Sequence, residues 1–180
     1  ITAKTLTPTV LVNDKIYNGN DNAIVTISLS GLIGSETINN TNSSTFVDKN
    51  VGTGKTVTVN SITLADGANG GLATNYSISA GQTTTANIIA KDLIISGITT
   101  SNKTYDGNTT ATLDVSSVNY GGLVSGDDFA GTFTGDFSDK NVASGKQVNI
   151  SSTYTGVDKN NYNITSQSPL FSDILIASPT

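Results

Sequence analysis

The sequence predicts an all-β protein built from two tandem small β domains. Thr, Ser, Asn and Gly account for 28, 21, 20 and 18 of the 180 residues, and these residue types are unfavourable inside helices. Val, Ile and Leu recur in short alternating groups, which Asn-Gly and Asp-Gly pairs separate, as is typical of strands joined by tight turns. An internal repeat of roughly 87 residues then divides the chain in two.

The repeat consists of blocks that recur in the same order along the chain. The matched blocks are 3–4 with 90–91, 15–19 with 103–107, 31–33 with 122–124, 46–51 with 137–142, 54–55 with 145–146, and 75–78 with 161–164. We therefore expect a first β domain over residues 1–89 and a second over residues 90–180. Apolar residues flank the join, so we expect the last strand of one domain to run almost directly into the next, as a stiff tandem.

Within each domain, apolar and polar residues alternate with the period of a half-buried strand. The strands predicted in this way lie at 10–12, 25–29, 57–59, 78, 93–95, 113–115, 148–150, 164 and 174–176. We expect six to eight short strands in each domain, with one helical turn at 32–38 and another at 123–129. An immunoglobulin-like sandwich is the favoured architecture, and a β-grasp-like unit with one short helix is the alternative.

The composition argues against most catalytic and cofactor chemistry. The chain has no His and no Cys, so zinc fingers, iron–sulfur clusters, Ser-His-Asp triads and cysteine nucleophiles are excluded. A net charge of −5 without any Arg disfavours nucleic-acid binding. No apolar run approaches the ~20 residues that cross a bilayer as a helix. We expect no enzymatic activity, no nucleic-acid partner and no membrane insertion.

Six aromatic residues and two glycines recur in register, and we interpret them as structural. The aromatic pairs are Tyr17 with Tyr105, Phe46 with Phe137, and Tyr76 with Tyr162. Because aromatic side chains bury much area, we expect all six in the cores. Gly19 and Gly107 follow Asn and Asp and predict type I′ turns, in which both central residues have positive φ.

Two sequence features suggest ligand binding: one resembles a phosphate-binding loop, and the other is a set of aspartates that could bind calcium. Residues 52–56 resemble a phosphate-binding loop, but Lys49 stands where that loop needs Gly and a strand pattern follows, so the motif is rejected. Aspartates could bind calcium through their oxygens, and the candidates are Asp127, Asp128, Asp139 and Asp158. No EF-hand spacing is present, and Asp is also common in turns. Calcium is therefore the one cofactor left open.

Three motifs of the repeat suggest a family. They are Lys-x-Tyr-Asp-Gly-Asn-Thr at 103–109, Asn-Val-Gly-x-Gly-Lys at 50–55 in the first copy, and Asn-Tyr-x-Ile at 161–164. Together they resemble the YDG/MBG-type repeats of bacterial filamentous-haemagglutinin-like surface adhesins. The resemblance covers nearly the whole chain twice. It implies a secreted or cell-surface location, and a structural or adhesive role as a stiff stalk or spacer. The partners it implies are other repeats of the same long chain, and no enzymatic activity is implied.

Three alternatives accompany this expectation. The units could bind host or matrix glycans or a receptor through Tyr120 and Tyr154, which have no aromatic match in the other copy and are expected to be exposed. They could self-assemble into a fibre by donating the strand at 174–176. Lys–Asn isopeptide cross-links could join Lys4 or Lys91 to Asn87 or Asn163. Intact mass would detect each cross-link as a loss of ammonia.

Overall fold

The computed structural model describes residues 1–178 and divides into two compact units, Ile1–Ala90 and Lys91–Thr180. The protein is all-β, with 55% of residues in strands and 3% in helices, which confirms the predicted class. None of the helices in the described part of the chain is long and apolar enough to cross a membrane.

Unit 1 contains eight strands within its described residues. They are β1 (Lys4–Thr5), β2 (Thr7–Val12), β3 (Lys15–Ile16), β4 (Val25–Ser30), β5 (Ile38–Phe46), β6 (Gly52–Asp66), β7 (Tyr76–Ser77) and β8 (Thr83–Ile89). The main sheet has the order β3-β8-β6-β5, while β2 pairs with β4 and β1 pairs with β7. The long β5–β6 hairpin supplies two of the four strands of the main sheet, and β8 pairs with its β6 strand.

Unit 2 repeats this plan over residues 91–178 with ten shorter strands. They are β9 (Lys91–Ser96), β10 (Thr99–Thr100), β11 (Lys103–Thr104), β12 (Thr110–Ala111), β13 (Leu113–Asp114), β14 (Asn119–Gly121), β15 (Ala130–Phe137), β16 (Ala143–Thr155), β17 (Tyr162–Thr165) and β18 (Leu170–Leu175). Its main sheet has the order β11-β18-β16-β15-β12, and a second sheet has the order β14-β9-β17. The expected six to eight strands are exceeded here because the segment matching β4 is divided between β13 and β14, and because β12 stands where unit 1 has only the isolated bridge between Asn22 and Thr45.

The alternating apolar residues of the hairpins form the cores. Val57 and Val59 of β6 and Val148 of β16 are completely buried, whereas the residues between them are more exposed. In unit 2, Val148 packs with Ala111, Phe137 and Ile174. This is the period-2 burial that the sequence pattern predicts, because successive side chains of a strand point to opposite faces.

The predicted helical turns at 32–38 and 123–129 are wrong. These segments are turns and irregular backbone that lead into β5 and β15. Single 3-10 turns occur instead at Ala73–Asn75 and Lys159–Asn161, each directly before a buried tyrosine. Acidic residues of the two segments accept hydrogen bonds from these tyrosines: Tyr76 donates to Glu36 (2.5 Å) and Tyr162 donates to Asp127.

In both units an early strand pairs in parallel with a late strand. Strand β3 pairs with β8, and β11 pairs with β18. Strand β18 also pairs antiparallel with β16, so Ile174 has a neighbouring strand on each side. Donation of this strand to another molecule would therefore require breaking two existing pairings. The strand ends at Leu175, one residue before the predicted end.

Candidate functional site

Two of the repeated motifs meet in a cluster in each unit, which we call the motif cluster: residues 15–19 with 46–51 in unit 1, and residues 103–107 with 137–142 in unit 2. In unit 1 its centre is the ammonium group of Lys15, at the start of β3. Nζ of Lys15 donates to the backbone oxygen of Asn20 (2.7 Å), to its side-chain oxygen (3.1 Å) and to the backbone oxygen of Asn22 (2.9 Å). The ammonium also lies 5.5 Å from the ring centroid of Phe46. Burial lowers the pKa of Lys15.

Unit 2 reproduces this arrangement around Lys103. Its Nζ donates to the backbone oxygen (3.1 Å) and side-chain oxygen (2.9 Å) of Asn108 and to the backbone oxygen of Thr110 (3.1 Å). The ring centroid of Phe137 is 5.9 Å away. Here Asp106 adds an ion pair at 2.7 Å, at the position that Asn18 occupies in unit 1. The motif lysine therefore closes its own turn in both copies.

A second lysine of the motif closes the loop between the hairpin strands. Lys55 pairs with Asp48 at 2.5 Å, and Lys146 pairs with Asp139 in the same way. These hydrogen bonds from lysine are the main cause of the lowered pKa of Asp48 and Asp139. The lysine of this Gly-Lys dipeptide, which suggested a phosphate loop, therefore holds the hairpin loop closed.

An Asp–Asn pair joins the segment before β3 to the last strand, and the two units use it in opposite order. In unit 1, Asp14 accepts from the backbone N–H (2.7 Å) and the side-chain amide (2.9 Å) of Asn87. In unit 2, Asn102 accepts from the backbone N–H of Asp173 (2.8 Å) and donates its amide to that carboxylate (3.3 Å). The carboxylate and the amide have exchanged strands.

This exchange predicts a rescue experiment. Asp14→Asn should lower the melting temperature, because a charge-assisted acceptor becomes a neutral amide. Adding Asn87→Asp to that variant should recover most of the loss, since the pair then has the arrangement of unit 2. Thermal melts of the two single variants and the double variant measure the coupling. Additive losses in the double variant would contradict a direct pair.

The lowered pKa values of the motif carboxylates predict acid sensitivity. Hydrogen bonds from lysine lower the pKa of Asp48, Asp106 and Asp139, and the backbone N–H of Asn87 lowers that of Asp14. In the unfolded chain these aspartates have a pKa of about 3.9, so the unfolded chain binds protons at a higher pH than the folded chain does. This contribution to stability is complete above that value and decreases as the pH falls through the folded pKa values.

The melting temperature should therefore be nearly constant from about pH 7 to pH 5 and fall below about pH 4. Calorimetry across this range measures the effect. In an Asp139→Asn variant, unit 2 should have a lower melting temperature at neutral pH and a smaller decrease of it in acid. The melting temperature of unit 1 should decrease in acid as it does in the unmodified chain. A flat profile down to about pH 2.5 would show that these carboxylates contribute nothing.

The turn type predicted at Gly19 and Gly107 is wrong. The two glycines have φ of 82° and 86°, but among the described non-glycine residues only Asn69 has a positive φ. Asn18 and Asp106 therefore keep negative φ, whereas a type I′ turn needs positive φ at both positions. One glycine with positive φ after a residue with negative φ is the requirement of a type II turn.

Five of the six repeated aromatic residues are buried, and Tyr105 is not. Tyr105 is 38% exposed, whereas Tyr17 is 1% exposed. The ammonium group of Lys49 lies over the Tyr17 ring, 5.9 Å from its centroid. Within residues 1–178, no ring or ammonium group contacts the Tyr105 ring in the same way. The expectation that Tyr105 is a core residue is therefore wrong.

Tyr120 and Tyr154 are half-buried rather than exposed. Tyr120 contacts Phe129 edge-on at 5.4 Å and Tyr154 stacks on it at 5.6 Å, and the Tyr120 hydroxyl accepts a bond from the N–H of Gly131 at 3.1 Å. The matching positions in unit 1 are aliphatic core residues: Leu29, Ile38 and Leu64. The tyrosines thus replace aliphatic packing, which is a structural use of the rings.

The structure gives each calcium candidate a partner within the protein. Asp128 accepts from the N–H of Val157 (3.0 Å), and Asp158 accepts from the N–H of Asp128 (3.0 Å), while Asp127 and Asp139 bind Tyr162 and Lys146. Across residues 1–178 no three metal-binding side chains of the His, Cys, Asp or Glu types come together.

The amides proposed for cross-links are also engaged elsewhere. The Asn87 side chain binds Asp14 and accepts from the N–H of Gly54 at 2.8 Å. The Asn163 amide donates to Asp92 at 2.9 Å. These contacts hold both amides in place without involving Lys4 or Lys91.

The Asp14–Asn87 and Asn102–Asp173 pairs were not predicted, although Asn87 was considered as a cross-link candidate. The signal was present, because Asp and Asn exchange places between two aligned positions of the repeat.

Taken together, the fold and the motif cluster define a small all-β repeat domain whose repeated motif residues close its loops. The chain belongs to the YDG domain family, whose model matches residues 2–86 and again residues 89–169. No curated protein and no solved structure matches the chain.

Proposed function

We propose that this chain is a structural repeat region of a secreted or surface-anchored bacterial adhesin, where it acts as a stiff stalk or spacer. Two YDG domains follow one another, with only Ala90 between β8 and β9. The motif lysines of both units bind groups within the same unit. Within this proposal each unit is an immunoglobulin-like sandwich, an architecture supported by the separate five-stranded and three-stranded sheets of unit 2.

The observation that carries the proposal is the parallel pairing of early and late strands. Backbone hydrogen bonds run across the strands, so a pull along β11 and β18 in opposite directions loads these bonds together, in shear. The N–H of Tyr105 donates to the oxygen of Leu175 at 2.9 Å, and the N–H of Tyr17 donates to that of Ile89 at 2.8 Å. Each unit thus has a clamp that resists stretching.

Single-molecule force spectroscopy tests this role. The full chain, held between handle domains, should give two unfolding events at forces typical of shear loading. Tyr105→Pro removes one donor of the clamp in unit 2, so one event should move to lower force while the other serves as an internal control. Unfolding of the unmodified chain without discrete events would contradict a mechanical role.

The proposed location is tested separately. Antibodies raised against the folded chain should label intact cells of the source organism, and protease treatment of those cells should remove the label. Labelling that appears only after permeabilisation would overturn the surface location but not the mechanical property of the fold.

A further inference from the structure

Unit 1 contains a cleft of about 560 Å³ beside its motif cluster. This volume lies within the range of about 300–1,000 Å³ that small-molecule sites occupy. Segment 13–24 contributes nearly all of the lining, and the ring of Phe46 contributes the rest. Four asparagines of this segment line the cleft: Asn13, Asn18, Asn20 and Asn22.

Both charged groups that line the cleft are occupied within the protein. The two oxygens of Asp14 accept from Asn87, and the three donors of the Lys15 ammonium all go to Asn20 and Asn22. An anionic ligand would have to displace the bonds of the Lys15 ammonium, which uses all three of its donors. The cleft therefore offers uncharged hydrogen-bonding groups to an incoming molecule.

Those groups are side-chain amides. Throughout residues 1–178, the amides of Asn13 and Asn22 have no hydrogen-bond partner, and the Asn18 side chain only accepts a long bond of 3.4 Å from the N–H of Asn20. An amide carries both donors and acceptors, so it can bind neighbouring hydroxyl groups in either direction. Beside them Ile24 is 90% exposed, which leaves an apolar surface at the rim.

We propose that this cleft binds a neutral saccharide, one or two sugar rings in size. Hydroxyl groups would pair with the free amides, and the apolar face of a ring would cover Ile24. The site differs from the tyrosine pair considered above, and it adds a binding activity to the spacer role without depending on it.

Unit 2 provides the matched comparison. At the same positions of the repeat it has Ser101, Thr110 and Thr112 in place of Asn13, Asn22 and Ile24. Asp106 replaces Asn18, and its carboxylate is bound to Lys103. These replacements remove three amides and the apolar rim, so we expect unit 2 not to bind the same sugar.

Titration of the ¹⁵N-labelled full chain with lactose, maltose, cellobiose and mannobiose tests the proposal by NMR. At least one disaccharide should shift the side-chain amide signals of Asn13 and Asn22 at millimolar concentration. The double variant Asn13→Ala/Asn22→Ala should weaken binding at least roughly fivefold, by loss of hydrogen bonds. Its melting temperature should stay unchanged, because neither amide bonds within the protein.

The matched control is Ser101→Ala/Thr110→Ala in unit 2, which should leave binding unchanged. Ile24→Thr, which introduces the residue of unit 2, should weaken it. Absence of shifts with all four disaccharides overturns the proposal, and so does a shift pattern centred on Tyr120 and Tyr154. Binding of sialyllactose but not lactose would show that the cleft recognises charge, which also contradicts it.

Discussion

Replacing Phe137 by alanine is expected to lower the free energy of unfolding of unit 2 by about 3–5 kcal/mol. The ring is 3% exposed and packs against Val148, Ala111 and Ile174. Its removal leaves a cavity where β15, β16 and β18 meet, and it also removes the surface on which the Lys103 ammonium lies. Because small domains have only about 5–15 kcal/mol of stability, this is a large share.

Urea denaturation measures this loss, with NMR amide signals to follow each unit separately. Phe171→Ala is the matched control, since that ring is 68% exposed and its loss should change stability by less than about 0.5 kcal/mol. Equal effects of the two substitutions would mean that Phe137 is not a core residue in solution.

The second large effect is expected at Gly156. Its φ is 108°, and a Cβ there would collide with the backbone oxygen of Asp128. That oxygen cannot move freely, because Asp128 is bound to the N–H groups of Val157 and Asp158 and donates its own to Asp158. Gly156→Ala should therefore destabilise unit 2 by about 3 kcal/mol or more, from strain and overpacking together.

Gly126→Ala separates these two causes. Gly126 also has a positive φ, 90°, but a Cβ there would meet open space. This variant should lose only the backbone preference, about 1–2 kcal/mol. The same denaturation experiment compares the two variants, and a loss at Gly126 as large as that at Gly156 would remove the role of the collision.

The architecture was predictable to the extent that it follows from local alternation. Val57 and Val59 identify a half-buried strand without reference to any neighbour, because the period is a property of the strand itself. The repeat then doubled the number of observations for each element. The predicted helix near Glu36 failed because the carboxylate has a distant partner, the Tyr76 hydroxyl, which lies 40 positions away.

The candidate site was less predictable, because its properties arise from tertiary contacts. Asn18 and Asp106 look equivalent as turn residues, but only Asp106 is ion-paired to the motif lysine. Tyr17 and Tyr105 look equivalent as well, yet Tyr17 is fully buried and Tyr105 is exposed. The proposed binding groups of the cleft are the side-chain amides that have no hydrogen bond after folding, and the sequence pattern does not predict which amides these are.

The reversed Asp–Asn pair also has a consequence for how neighbouring copies fold. Adjacent domains of similar sequence can misfold by exchanging strands with each other. If the segment before β3 paired with β18 of the other unit, Asp14 would face Asp173, and two carboxylates would repel each other. The complementary exchange would leave Asn102 facing Asn87 with no charge at all. Each unit therefore pairs more favourably with its own last strand than with that of the other unit, which disfavours strand exchange between the two while the chain folds.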